Sequence, residues 1–401
     1  MAGSSRGNLL VVHGGGPTAV INASLYGVVR ESLDSGQVGQ VLGAVHGIQG
    51  VLAEDLVDLA RVSDDVLESV RVSPGSALGS SRHQLSDDEA AQVLDVCRRR
   101  AVRWFLGTGG NDTMANCLRL HQRSHQADGS PIVVGVPKTV DNDLAETDHC
   151  PGYGSAARYL AQSARDLCYD VGSLPTPVSI LETMGRNTGW LCAATALARE
   201  SPDDGPQLIY VPERPFDRDR FLADVEGVVK AVGWAVIAVS EGLRDSSGRP
   251  VAESASAAQT DPFGHALAGG VGAVLSEQVA AALGIRCRYE KPGLLGRASA
   301  ILASELDRAE AEGVGREAVR RALADQGGVM VTLTADRHGT YRWGTDVVPL
   351  ERVADVEKPV PAGFLSDRRP DVSESFIEYA KPLIGGEVMG YQHVRSLHEP
   401  C

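Results

Sequence analysis

Asn8-Leu9-Leu10-Val11-Val12-His13-Gly14-Gly15-Gly16-Pro17-Thr18 is a short apolar run halted by three glycines, and from Ala19 onward the apolar residues fall at helical spacing. The pattern predicts a strand, a glycine turn and a helix. It recurs: Val102 to Leu106 leads into Gly107-Thr108-Gly109-Gly110-Asn111-Asp112 and a helix from Thr113, and Ile132 to Val136 leads into Pro137. Further strands are predicted at Val178 to Leu181, Gln207 to Val211 and Trp234 to Val239. Helices are predicted at Asp87 to Arg100, Ala156 to Leu167, Gly189 to Arg199, Asp217 to Val232, Leu267 to Leu283 and Ala303 to Ala324. Strands that are apolar on both faces and alternate with helices belong in parallel sheets covered on both sides. The fold class is therefore α/β.

With 401 residues the chain exceeds one ordinary core, so two lobes are expected. Hydrophobic residues make up 43% and charged residues 22%, the balance of a folded globular protein. A formal charge of -14 disfavours non-specific binding to nucleic acid or to an anionic membrane, so an anionic ligand needs a local basic pocket. No run of eighteen apolar residues occurs, and the residues before Asn8 lack the apolar core of a secretion signal. Seven cysteines are scattered singly without a C-x-x-C pair, which suits reduced thiols in a cytoplasm. The polar stretch Arg244 to Asp261 reads as a surface loop, and Cys150 to Gly154 as a boundary.

Glycine turns at the carboxyl ends of parallel strands gather free backbone N-H groups and helix N-termini at one sheet edge, a setting for phosphate. Neither G-x-x-x-x-G-K-[ST] nor G-x-G-x-x-G is present, which disfavours the ordinary P-loop and dinucleotide folds. Directly after the third strand comes Pro137-Lys138-Thr139-Val140-Asp141-Asn142-Asp143. One carboxylate there can take a proton from an attacking hydroxyl, the lysine can neutralise phosphate, and the second carboxylate can hold Mg²⁺. The plainer reading is a Pro-Asn-Asp surface turn.

Four segments in order carry a resemblance: Gly14-Gly15-Gly16-Pro17-Thr18, Gly109-Gly110-Asn111-Asp112-Thr113, Pro137 to Asp143, and Glu182-Thr183-Met184-Gly185-Arg186. The chain resembles the phosphofructokinases from about Asn8 to about Arg308, with a weaker tail likeness in Tyr379-Ala380-Lys381-Pro382-Leu383-Ile384-Gly385. The resemblance implies two doubly wound Rossmann-like lobes with the active site in the cleft between them. A donor and Mg²⁺ lobe would comprise residues 1–152 and a returning segment at about 298–350. A sugar-phosphate lobe would comprise 153–297 and about 351–401. The family assembles as homodimers or homotetramers that share sugar-phosphate sites across interfaces.

By the same resemblance Asp141 is the general base toward a sugar 1-hydroxyl, with Thr139, Lys138 and Arg186 at the transferring phosphoryl group. Gly15, Gly16, Arg82, Gly110, Asp112, Thr113 and Lys138 would hold the donor phosphate. Met184, Gly185, Arg186, Glu241, Arg288 and Arg297 would join Thr139 and Asp141 around the sugar phosphate. Asn111, Asp112 and Asp143 are the candidate Mg²⁺ ligands, Asn111 standing where many relatives carry aspartate. Guanidinium forks suit phosphate oxygens, although an isolated arginine is more often a surface ion pair.

The donor follows from two positions. ATP-using relatives read Gly-Gly-Asp-Gly at the second turn, where this chain has Asp112, whose bulk and charge oppose a nucleotide phosphate. Lys138 replaces a glycine common in those relatives and supplies a cation for compact pyrophosphate. The implied reaction is reversible transfer from pyrophosphate to fructose 6-phosphate or a related ketose phosphate. Leu294 and Gly296 depart from the family pattern, which leaves the acceptor open. An ATP-dependent sugar or NAD kinase and a non-catalytic regulatory subunit are the alternatives. His13 would touch phosphate or serve as a packing or capping group.

Overall fold

A computed structural model describes residues 7–124, 130–174, 177–201, 204–252 and 270–391. In chain order the elements are β1 (Asn8–His13), α1 (Ile21–Ser35), β2 (Val41–Ala44), α2 (Ile48–Leu52), β3 (Leu56–Asp58), α3 (Asp64–Val72), α4 (Asp87–Arg99), β4 (Val102–Gly109), α5 (Asn111–Ser124) and β5 (Ile132–Pro137). They continue with α6 (Tyr153–Ser173), β6 (Val178–Thr183), α7 (Trp190–Ala194), β7 (Leu208–Tyr210), α8 (Arg218–Val232), β8 (Ala235–Ser240), α9 (Val271–Leu283) and β9 (Cys287–Glu290). Last come α10 (Leu295–Ala298), α11 (Glu305–Leu323), β10 (Val329–Asp336), β11 (Arg342–Pro349) and α12 (Glu374–Ala380).

The strands form two sheets. A seven-stranded sheet runs β11-β10-β5-β4-β1-β2-β3, and a four-stranded sheet runs β7-β8-β6-β9. In the first, β10, β5, β4, β1 and β2 are parallel, with β11 and β3 antiparallel at its edges. The second is parallel throughout. Side chains of a strand alternate between faces, and both faces of the first sheet are buried. Leu10, Val12, Phe105 and Val133 join one core, while Leu9, Val11, Trp104, Leu106, Val134 and Val136 join another.

Three expectations shift. Gly107 to Gly109, read as a turn, continue β4, because Gly107, Thr108 and Gly109 pair with Gly135, Val136 and Pro137 of β5. The following helix starts at Asn111, two residues before Thr113. Gly189 to Arg199 resolves into α7 and a 3-10 turn at Thr195–Ala198. Residues 253–261 of the predicted loop and 267–269 of the predicted helix lie outside the described residues; Asp245 tightens the described part by accepting from the amides of Ser247 and Arg249 at 2.8 and 3.0 Å. No helix among the described residues is long and apolar enough to cross a membrane.

After α10 the chain returns to the first sheet. α11 packs on α1 and β5, and β10 and β11 then extend that sheet beyond β5. The final helix crosses back: Phe376, Tyr379 and Ala380 of α12 join a core with Trp190, Tyr153 and Ile209. Asp307 of α11 accepts from the amides of Gly152 and Ser155 at 2.8 and 2.9 Å, so α6 has its first turn capped by a distant helix.

Candidate active site

β1, β4 and β5 end side by side, and their turns interlock through the backbone. Gly14 N-H donates to Thr108 O at 2.8 Å, Gly15 N-H to Ser81 O at 2.9 Å, and Lys138 N-H to Gly109 O at 3.1 Å. Ser80 Oγ donates to Gly15 O at 2.7 Å, so the Ser80-Ser81-Arg82 segment is strapped to the first turn. Gly15 has φ of 75°, a left-handed conformation that a side chain resists. Thr113 fills the space behind Gly14 and Gly109, and neither position has room for a Cβ.

Three cations gather on this edge. Lys138 is 2% exposed, and its Nζ donates to Gly16 O at 2.7 Å. The Arg297 guanidinium leans over Gly16, and a Cβ there would lie 3.5 Å from Arg82 Nη2. Burial pulls the Lys138 ammonium down to about 8, with Arg297 and Arg82 adding to the fall and Asp141 and Asp143 opposing it. Arg297 is likewise depressed, by burial and then by Arg82. Crowded cations of this kind are relieved by a bound polyanion.

Across from them the turn after β5 presents its carboxylates. Burial pushes Asp141 up to about 7, and Asp143 and Glu241 push the same way against Lys138 and Arg186. Asp143 is raised by burial, against a hydrogen bond from Thr139. The inward oxygens Asp141 Oδ1 and Asp143 Oδ1 are buried and have no hydrogen-bond partner. Thr139 Oγ1 accepts from Asp141 N-H at 3.1 Å, which ties the turn's two ends together.

The second sheet supplies the far wall. β6 ends in Thr183, and Met184, Gly185 and Arg186 follow, with Gly185 at φ of 127° and its carbonyl accepting from Ser240 Oγ at 2.5 Å. Glu241 follows β8 and donates its N-H to Thr183 O at 3.0 Å. Burial raises Glu241 and Lys291 draws it back. Thr183, Met184, Gly296 and Arg297 line one cleft with Leu191 and Pro292.

Lys138, Arg186 and Glu241 all act on the charge of Asp141, and Arg297 reaches Gly16 beside Arg82 and, with Met184, lines one cleft. Gly110 and Thr113 lie just behind it. Arg297 bridges the two halves, reaching Gly16 as well as the Met184 wall. Asp112 begins α5, accepts from Gln84 Nε2 at 3.1 Å, and lines a hollow behind the first glycine turn with Ser81, His83 and Asn116. The Asn111 amide nitrogen is best placed on the carbonyls of Val353 and Val356, 3.1 Å from each, which turns its oxygen toward Asp143.

Two expectations about the site are redirected. Arg288 is exposed and pairs with Ser179 near the start of β6, whereas the cleft lies beyond Thr183 at that strand's end, so within this chain it stands away from Arg297. Leu294 is 63% exposed and does not line the cleft, while Gly296 does. His13 is neutral: burial, then Lys138, hold it down to about 3, and its Nδ1 meets Ser76 Oγ at 2.7 Å.

Sequence reasoning passed over Lys291, whose Nζ donates to Glu182 Oε1 at 2.7 Å and reaches Glu241 Oε2 at 3.5 Å. It belongs to no motif, and only the pairing of β9 with β6 brings it there. Asn142 and Tyr379 were both in quoted motifs, but nothing in their spacing says that they touch.

The phosphofructokinase family model matches residues 8–322. A pyrophosphate–fructose 6-phosphate 1-phosphotransferase from Xanthomonas campestris pv. campestris (strain B100) is 42% identical over 96% of this chain and 93% of its own length. A sulfofructose kinase from Alkalicoccus urumqiensis is 34% identical over 88% of this chain and 91% of its own. The crystal structure of a pyrophosphate-dependent phosphofructokinase from Marinobacter aquaeolei superposes with a TM-score of 0.86 at 34% identity, covering 96% of this chain and 94% of that one. The interlocked glycine turns, the carboxylate turn after β5 and a match over most of the length agree: the chain belongs to the phosphofructokinase family.

Proposed function

We propose that this enzyme transfers a phosphoryl group reversibly from pyrophosphate to the 1-hydroxyl of fructose 6-phosphate. The observation that carries the reading is the facing of Lys138, Arg82 and Arg297 around Gly16 against the partnerless carboxylate oxygens of Asp141 and Asp143. Pyrophosphate lies on the glycine turns under the three cations, and the sugar phosphate lies along Met184, Gly185, Arg186 and Glu241. Asp141 accepts the proton of the 1-hydroxyl. That oxygen attacks the near phosphorus in line, the bridging P-O bond breaks, and orthophosphate leaves with its charge met by Lys138 and the arginines. The chemistry needs a divalent cation, and magnesium fits the residues present. Asp143 Oδ1 is buried without a partner and the Asn111 oxygen faces the same carboxylate, so these two would hold the ion, with Asp112 at the adjoining turn. The ion would neutralise charge on the phosphate oxygens.

Asp112, held by Gln84 beside the first glycine turn, stands where a nucleotide would extend, which favours pyrophosphate over ATP. A homodimer or homotetramer is supported by the exposed Arg288, Tyr289, Leu294, Leu295 and Ile301, which lie close together in the sequence. The described cysteines are all free thiols, which suits a cytoplasmic location.

The test is sugar bisphosphate formation from fructose 6-phosphate with Mg²⁺ and either pyrophosphate or ATP, with Asp141→Asn as control. Turnover with pyrophosphate, lost in the variant, is expected. Turnover with ATP alone would overturn the donor, and an active Asp141→Asn enzyme would overturn the base.

A further inference from the structure

Asn142 lies between the two carboxylates, fully buried, with φ of 55°. Asparagine is among the few residues other than glycine that accept this left-handed conformation. Asp141 and Asp143 flank Asn142, each with a buried Oδ1 that has no partner. The conformation is locked through the side chain. Asn142 Oδ1 accepts from Cys150 N-H at 2.9 Å, and its Nδ2 donates to the Tyr379 hydroxyl at 2.9 Å. That hydroxyl in turn donates to Asp148 O at 3.0 Å.

Tyr379 belongs to α12, more than two hundred residues downstream and within the tail motif that the reaction itself leaves without a role. Its ring is fixed from several sides. The Arg337 guanidinium lies 4.6 Å from its centroid and grips Asp148 with both nitrogens at 2.7 and 2.8 Å. Trp190 and Phe364 pack on it at 5.4 and 5.2 Å between centroids. Trp190 Nε1 donates to Lys358 O at 2.8 Å, and Lys358 N-H donates to Asp143 O at 2.7 Å. Thr188 Oγ1 donates to Asp141 O at 3.2 Å. The carboxylate turn is thus held at the backbone carbonyls of Asp141 and Asp143 and at the Asn142 side chain, while Asp141 Oδ1 and Asp143 Oδ1 stay without partners.

We propose that Asn142 and Tyr379 are positioning residues for phosphoryl transfer: the C-terminal helix, through the Tyr379 hydroxyl, fixes the left-handed turn that aims Asp141 and Asp143 into one cleft. The inference rests on the reading of Asp141 as the base. Loss of the hydroxyl leaves the buried Asn142 amide donor without its partner, while Asp148 O keeps Lys358 Nζ at 3.0 Å, and the turn relaxes toward conformations that pair the amide elsewhere. Small displacements of a catalytic carboxylate are costly to rate, whereas Lys138, which binds pyrophosphate, is held by Gly109 O and Gly16 O.

The experiment compares full-length wild type, Tyr379→Phe, Asn142→Gly, Asn142→Ala and Asp141→Asn with pyrophosphate, fructose 6-phosphate and Mg²⁺, measuring kcat and both KM values together with the thermal midpoint with and without pyrophosphate. Tyr379→Phe is expected to lower kcat by roughly tenfold to a hundredfold with both KM values held and the pyrophosphate-induced rise in midpoint intact. Asn142→Gly, which keeps access to the left-handed region, should retain more kcat than Asn142→Ala, which resists it. Wild-type kcat in Tyr379→Phe and Asn142→Ala beside an inactive Asp141→Asn would overturn this inference alone. Activity lost only in proportion to a lower folded fraction, or equal kcat in the glycine and alanine variants, would also overturn it. An active Asp141→Asn enzyme would instead remove the underlying reading.

Discussion

The two walls of the cleft are built differently. The cationic wall stands on regular structure: Gly14, Gly15 and Lys138 are tied by backbone bonds to Thr108, Ser81 and Gly109 where three parallel strands end. The carboxylate wall begins where that regularity has stopped, at Asp141 four residues past β5, and is held by the Tyr379 and Thr188 side chains and by the Lys358 N-H. The first wall concentrates positive charge that an incoming anion relieves. The second concentrates negative charge in a buried place, which raises Asp141 into the range useful for proton transfer near neutral pH. A phosphoryl transfer site needs both imbalances, each left unresolved by the protein and resolved by a substrate.

Removing the base tests the second wall most directly. Asp141→Asn keeps the shape and hydrogen-bonding atoms, and kcat should fall by roughly a hundredfold to ten-thousandfold while pyrophosphate still binds. A loss of pyrophosphate binding instead would show that the walls are not separable. Next in size is Lys138→Met on the first wall, with an expected fall of about a hundredfold to a thousandfold in kcat/KM for pyrophosphate. Pyrophosphate should raise the thermal midpoint of wild type, since it binds the folded state, and should raise that of the variant much less. An unchanged ligand shift would remove Lys138 from the donor site.

The contrast also explains what could be read in advance. Glycines at strand ends, apolar strands and a lysine-carboxylate cluster are local signals, so the α/β class and Lys138 were legible from Asn8-to-Thr18 and Pro137-to-Asp143, whereas Arg82 and Arg297 came only from the resemblance. Gly107 to Gly109 misled because glycine permits a turn without requiring one, and pairing with β5 decided for strand. The support of Asn142 was not legible, because Tyr379 reaches it only through the return of α12 across the other lobe. Arg288 shows the converse: the resemblance groups it with Arg297 on the sugar phosphate, whereas the register of β9 on β6 sets it, exposed, beside Ser179.

A smaller effect separates the walls by pH. In kcat/KM, which reports the free enzyme, activity should rise as pH passes about 7 and Asp141 loses its proton, and fall as pH passes about 8 and Lys138 loses its charge. Lys138→Arg, which keeps its charge, should retain the acidic limb and lose the alkaline one. A kcat/KM profile flat from pH 6 to 9 would contradict both assignments of charge.

The smallest expected effect lies behind the carboxylate wall. His149 is buried between Asp148 and Glu310, 2.8 Å from each, with Arg337 on Asp148 and Tyr341 on Glu310. Burial alone would lower His149, but Glu310 and Asp148 outweigh it and raise the imidazolium to about 9. A histidine raised in the folded state stabilises fully below its unfolded value of about 6.5, and that contribution is lost as pH rises through about 9. Asp148 is shifted down by the same contacts, Arg337 and His149 outweighing its burial, so its own contribution persists throughout that range. Chemical denaturation between pH 6.5 and 9.5 should therefore show the wild-type midpoint falling, while His149→Gln starts lower and changes less. Because Asp148 O also takes the Tyr379 hydroxyl, kcat should decline over the same interval more steeply than pyrophosphate binding does. If stability falls and kcat does not follow beyond the Lys138 limb, the network braces the fold without reaching the turn, and the carboxylate wall is held without help from the His149 charge.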